Sequence, residues 1–274
     1  MNIEYYKPKN KILQKYVDGY YFIQEDKQSG SVEYETFPNN NIFYTINKNT
    51  IVKEEKENIF LSSSNDNTII GSLVLSYSKP MRIFYTHLFD EITICFKPLG
   101  IFHFDVTDFN SESKKTLIDY NLFEDITEFS AKLFDLTMNE KAIGLEKYLI
   151  SKLIEVDLSF MENIIRDVEN EIKIEDISTK YSISRQYLNR IFKKHLGKSP
   201  SEYRKVYRFR NSLLNKKESK NLTELSSNDY YDQSHFIKDF KSITKLKPNQ
   251  FFKEVDLEKD TLLKFFDFFT FLQF

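Results

Sequence analysis

The chain runs to 274 residues, enough for two domains that each bury a core, and its 41% apolar and 29% charged content is that of a globular protein. It holds one cysteine, Cys95, which excludes an internal disulfide and any multi-cysteine metal site. The net charge of −2 hides a segregation: Lys180 to Lys253 carries 18 Lys plus Arg against 6 Asp plus Glu, a surplus of 12, and the remainder stands at −14.

Met1 to Asp18 has Lys and Tyr where a secretory signal has its apolar centre, and no stretch of about 18 apolar residues follows. The expectation is a cytoplasmic chain with no membrane segment. Strands are predicted at Tyr16 to Ile23, Val32 to Phe37, Ile42 to Ile46, Arg82 to Leu88 and Ile92 to Phe96, all dense in aromatic and β-branched residues. Pro38 to Asn41, Ser62 to Asn67 and Asp90-Glu91 supply turn chemistry between them. Short strands at this spacing suggest a barrel or sandwich. From Asp119 the period changes: Leu122, Ile126, Phe129, Leu133 and Leu136, then Ile143, Leu145, Leu149 and Leu153, fall at helical steps. Either of these two helices could carry a dimer contact. The domain boundary is expected between Asp157 and Phe160.

The basic stretch contains an internal repeat, ungapped, at an offset of 48 residues. Ile177 pairs with Leu225, Ser178 with Ser226, Ser184 with Asp232, Leu188 with Phe236, Arg190 with Lys238, Phe192 with Phe240 and Lys193 with Lys241. Pro200 with Pro248, Tyr203 with Phe251 and Lys205 with Lys253 complete it. In the first copy Ile174 to Tyr181 reads as a short helix and Ser182-Ile183-Ser184 as a turn, with Ser184 the N-cap of the next helix. That helix is expected to bury Tyr187, Leu188, Ile191 and Phe192 and to show Arg185, Gln186, Asn189, Arg190, Lys193 and Lys194. A helix, a short turn and a helix with a basic, amide-bearing face form a helix-turn-helix unit, whose second helix enters the major groove. Gln and Asn pair with adenine and Arg with guanine, while the remaining cations meet phosphates. Ser199-Pro200-Ser201-Glu202 opens a linking helix with a capping box, running to Asn215 and showing Arg204, Lys205, Arg208 and Arg210. Its length, roughly 25 Å at 1.5 Å per residue, suits two recognition helices one duplex turn apart. The second recognition helix is expected over Asp232 to Ile243, offering Gln233, Ser234, Ile237, Lys238 and Lys241.

Two such units on one chain resemble the DNA-binding domain of the AraC family of bacterial transcription regulators. The likeness is carried by Ser184-Arg185-Gln186-Tyr187-Leu188-Asn189-Arg190-Ile191-Phe192-Lys193, by Gly197-Lys198-Ser199-Pro200 and by Tyr230-Tyr231-Asp232-Gln233-Ser234-His235-Phe236. It implies base reading at Gln186, Asn189 and Arg190 and at Gln233, Ser234 and Lys238. Three departures stand out: Asp229 at a usual Gly position, one residue fewer before the Tyr pair, and Lys245 and Lys247 in place of Gly and Thr. Phe37-Pro38-Asn39-Asn40 and Cys95-Phe96-Lys97-Pro98-Leu99-Gly100 also resemble strand-rich domains of some AraC-type regulators, which bind an effector or mediate dimerisation.

The sequence therefore predicts an α+β protein. Residues 1–158 form a strand-rich, barrel-like or sandwich sensor or dimerisation domain with two helices. Residues 159–255 are an all-α domain with two helix-turn-helix units, and residues 256–274 a Phe-rich tail packed within the protein. Double-stranded DNA is the expected partner, with a small-molecule effector, a second copy and RNA polymerase as further ones. No cofactor, metal or catalytic residue is expected: His87 and His103 lie too far apart for a metal site, Cys95 reads as a small hydrophobe, and His195 as a helix C-terminal residue. The rival reading is an enzymatic or small-molecule-binding N-terminal domain that a basic helical domain anchors to nucleic acid.

Overall fold

In the computed structural model, residues 3–56, 58–75, 77, 79–105, 116–215, 230 and 232–254 are described. They fall into two compact units. The first holds the strands: β1 (Ile3–Tyr6), a short helix α1 (Leu13–Tyr16), β2 (Val17–Ile23), β3 (Val32–Thr36), β4 (Ile42–Lys48), β5 (Thr50–Glu55), β6 (Asn58–Ser63), β7 (Ile69–Val74), β8 (Met81–Tyr85), β9 (Glu91–Phe96) and β10 (Thr116–Ile118). One sheet has six strands in the order β1-β2-β9-β4-β7-β10, and the other four in the order β3-β8-β6-β5, with β6 and β8 parallel.

β9 lies between β2 and β4, with Ile94 opposite both Tyr20 and Tyr44. All six of its residues are buried, which its unbroken apolar run requires. Two helices close over this sheet, α2 (Ile126–Phe134) and α3 (Met138–Ser151), the latter opened by a capping box between Thr137 and Glu140. Leu133, Leu145 and Leu149 join Tyr20, Phe22, Tyr44, Ile92 and Phe96 in one core. Leu136 and Ile143, placed on the helical stripes by period alone, are both 42% exposed; α2 stops at Phe134, and α3 turns Ala142 inward instead of Ile143.

Two further corrections concern polar residues. Glu91, expected in a turn, opens β9 and is buried, accepting bonds from Tyr85 (2.8 Å), Asn47 (3.0 Å) and Thr93 (3.0 Å). Burial pushes its carboxyl up, and these donors pull it back. The β5–β6 hairpin lies outside the strands that the sequence predicts; β5 is an edge strand on which Lys53, Glu54 and Glu55 are exposed.

The second unit comprises the described residues from Asp157 onward together with 35–40, 77, 79 and 80. Its described helices are α4 (Ser159–Glu169), α5 (Ile174–Lys180), α6 (Arg185–Leu196), α7 (Pro200–Asn215), α8 (Gln233–Thr244) and α9 (Pro248–Glu254). Among the described residues no helix is long and apolar enough to cross a membrane. The Phe-rich tail at 256–274 lies outside the described residues.

Candidate nucleic-acid interface

The first helix-turn-helix unit is built from α5 and α6. Glu175 and Asp176 stand in the first turn of α5, where the helix dipole favours carboxylates. The chain turns through Ser182 at φ 53°, and Ile183 N–H returns to Ser178 O at 2.9 Å. Ser184 caps α6, its Oγ accepting from Tyr187 N–H at 3.1 Å. Leu188, Ile191, Phe192 and Leu196 are buried, and α6 ends on Gly197 at φ 65°, whose N–H reaches Lys193 O at 3.0 Å.

The outer face of α6 presents Arg185, Gln186, Asn189, Arg190, Lys193 and Lys194, all exposed. Tyr187 joins that face, 38% exposed, instead of the core, and the Arg190 guanidinium lies 5.0 Å from its ring centre. Arg185 meets Glu175 at 3.1 Å in an ion pair exposed on both sides, too solvated to hold the guanidinium away from a phosphate. The Asn189 amide donates to Arg185 O at 3.0 Å, one turn back.

The linking helix α7 carries the predicted box: Ser199 N–H and Oγ–H donate to Glu202 Oε2 at 2.8 and 2.7 Å, and Glu202 N–H donates to Ser199 Oγ at 3.3 Å. Bonds to Ser199 hold the Glu202 carboxyl below the usual range. The basic residues of α7 do not share one exposed face. Arg204 donates to Val168 O at 3.0 Å and also to Ile172 O, satisfying carbonyls where α4 ends. Arg208 makes a forked pair with Glu171, through Nε at 2.9 Å and through Nη2. Lys205 is half-buried, and Arg210, expected on the surface, is buried.

In the second copy Asp232 caps α8, accepting from His235 N–H at 2.7 Å. Phe236, Phe240 and Ile243 point inward, while Gln233, Ser234, Lys238 and Lys241 are exposed. Asp229, where the sequence departs from the expected pattern, and Tyr231 lie outside the described residues. The helix ends on Lys245 at φ 63°, the repeat partner of Gly197.

The set-aside residues have ordinary places. Cys95 is buried on β9 and burial raises its thiol pKa. His103 stacks on Tyr16 at 3.9 Å, and His195 Nδ1 lies 2.9 Å from Ile191 O. Sequence reasoning missed Lys198 and Arg210 as buried groups. A signal was present for Arg210, since Tyr203, Val206 and Arg210 fall on one stripe at steps of three and four, all buried.

A protein-family model described as a helix-turn-helix domain matches residues 177–254. Residues 177–254 are an AraC-type helix-turn-helix domain. Over 96 residues the chain is 30% identical to an uncharacterized HTH-type transcriptional regulator of Haemophilus influenzae, a match covering 34% of this chain and 32% of that protein. The chain thus matches about a third of that relative's length. Among solved structures, ToxT of Vibrio cholerae in an apo variant form is 16% identical at a TM-score of 0.39, covering 91% of this chain and 95% of that one. ToxT with an unsaturated fatty acid bound is also 16% identical, at a TM-score of 0.43, covering 85% and 94%.

Proposed function

We propose that the chain is a sequence-specific transcription regulator whose AraC-type domain reads duplex DNA and whose strand-rich domain, over residues 1–158, sets the response. The observation that carries this is the pair of capped helices, α6 and α8, at one repeat offset, each with an exposed polar and basic face. In this reading Gln186, Asn189 and Arg190, and Gln233, Ser234 and Lys238, meet base edges. Arg185, Lys193, Lys194, Lys205 and Lys241 meet phosphates. Arg204 and Arg208 act indirectly, by tying α7 to the end of α4 through the contacts described above. A small-molecule effector, RNA polymerase and a second copy are the remaining partners. Exposed Ile143 and Ile150, two turns apart on α3, support the last of these.

The test is binding of the full chain to the duplex upstream of its own gene, followed by fluorescence anisotropy over a salt series. Released counterions make log affinity fall linearly with log salt, by about 0.9 for each phosphate neutralised. A steep slope, with tighter binding than to a scrambled duplex, is expected. Equal affinity for both duplexes at every salt concentration overturns the reading.

A further inference from the structure

Residues 35–40 take in the end of β3 and lead towards β4, yet they are part of the helical unit. Phe37 is fully buried, its ring 6.2 Å from Phe209 on α7 and 5.5 Å from Phe251 on α9. Both of those rings pack on Phe240 of α8, at 5.2 and 5.1 Å. Three consecutive backbone carbonyls after β3 are taken by buried side chains. Arg210 reaches Phe37 O and donates through Nε to Pro38 O at 2.8 Å, while Lys198 Nζ donates to Asn39 O at 2.8 Å. Tyr77 adds a bond to Phe37 O at 2.8 Å, and the Asn40 amide donates to Tyr203 O at 3.0 Å.

Burying a guanidinium and an ammonium costs several kcal/mol per ion unless their donors are well used. An apolar pair would close a loop without that cost. Here the two cations sit at the two joints of the DNA-reading domain: Lys198 directly after the C-cap of α6, and Arg210 on the helix that links α6 to α8. The aromatic anchor between them enters the core beneath α8.

We propose that residues 36–40 are a strap that sets the spacing of α6 and α8, so that a shift of the chain between β3 and β4 alters how the two recognition helices present themselves. The functional half of this rests on α6 and α8 being the DNA-facing helices; the spacing itself is measured without DNA. Cys95 is buried, so spin labels placed at the exposed positions through Lys193→Cys and Lys241→Cys report the distance between the two helices in the full chain. A narrow distance distribution is expected, shifted and broadened by Phe37→Ala. Arg210→Lys, which keeps the charge but cannot fork onto two carbonyls, should give a smaller change in the same direction; it carries the test if Phe37→Ala does not fold. An unchanged distribution in the folded variants overturns the strap, whatever the DNA measurements show.

Discussion

The two copies of the repeat perform the same local fold with different chemistry. In the first, the recognition helix is capped by Ser184, ends on Gly197 and is followed by buried Lys198; in the second the same positions are Asp232, Lys245 and Leu246. The first copy places Asn189 outward where the second has half-buried Ile237, and its core pairs Phe192 with Tyr203 at 5.9 Å. The second packs Phe236, Phe240, Phe251 and Phe252 into one cluster with Phe209 and Phe37. One framework thus serves a helix whose outer face carries exposed amides and cations and another that devotes more of its surface to holding the domain together.

The largest expected effect separates Lys198 from its apolar counterpart. Burial pulls its pKa from 10.5 down to about 7, with the Arg210 charge pushing the same way and Glu202 opposing. Between those two values the unfolded chain binds more protons than the folded one, so stability should rise with pH from 7 to 9.5, at a slope approaching about 1.4 kcal/mol per pH unit. Below pH 7 both states hold the charge and the cost is fully present. Lys198→Met should lose this slope in urea denaturation measured across that window; a variant with the parental slope would mean the ammonium is solvated.

A smaller effect compares base reading. A lost bidentate contact costs about 1–3 kcal/mol of discrimination. Asn189→Ala should therefore relax sequence preference at its half-site more than Gln233→Ala does at the other, measured on a panel of singly substituted duplexes. Equal loss would show that the second copy reads bases as fully as the first.

The smallest concerns the C-caps. Lys245 holds a left-handed backbone at φ 63°, where a Cβ is disfavoured and Gly is not. Lys245→Gly should raise stability by about 0.5–1 kcal/mol, net of the entropy that Gly loses on folding, while Gly197→Ala at φ 65° should lower it. Opposite signs in thermal melts are the expected result, and a destabilised Lys245→Gly would count against a strained cap.

Local signals explain what the sequence made legible. Ser184, Gly197 and the Ser199-to-Glu202 box each act within one helical turn, so their roles could be read from spacing. The apolar runs of β2, β4 and β9 were equally plain. Side-chain charge gave no such guidance, because it does not say where a long side chain ends. Spacing places Arg204, Arg208 and Arg210 in one exposed set, but their heads go to carbonyls at the end of α4, to Glu171 and to the strap. Their partners lie more than thirty positions away in the chain, beyond any periodic pattern. The same holds for Glu91, whose donors Asn47 and Tyr85 come from separate strands.

The burial of Cys95 has a practical consequence. It is the chain's one thiol, it sits on the central strand β9, and burial holds it in the unreactive protonated form. Alkylation must therefore wait until the six-stranded sheet opens, which makes the rate of thiol capture a native clock for the strand-rich unit alone. Pulsed with reagent while the helical unit is perturbed by any substitution above, the same molecule reports whether one unit can come apart on its own timescale while the other keeps time unchanged.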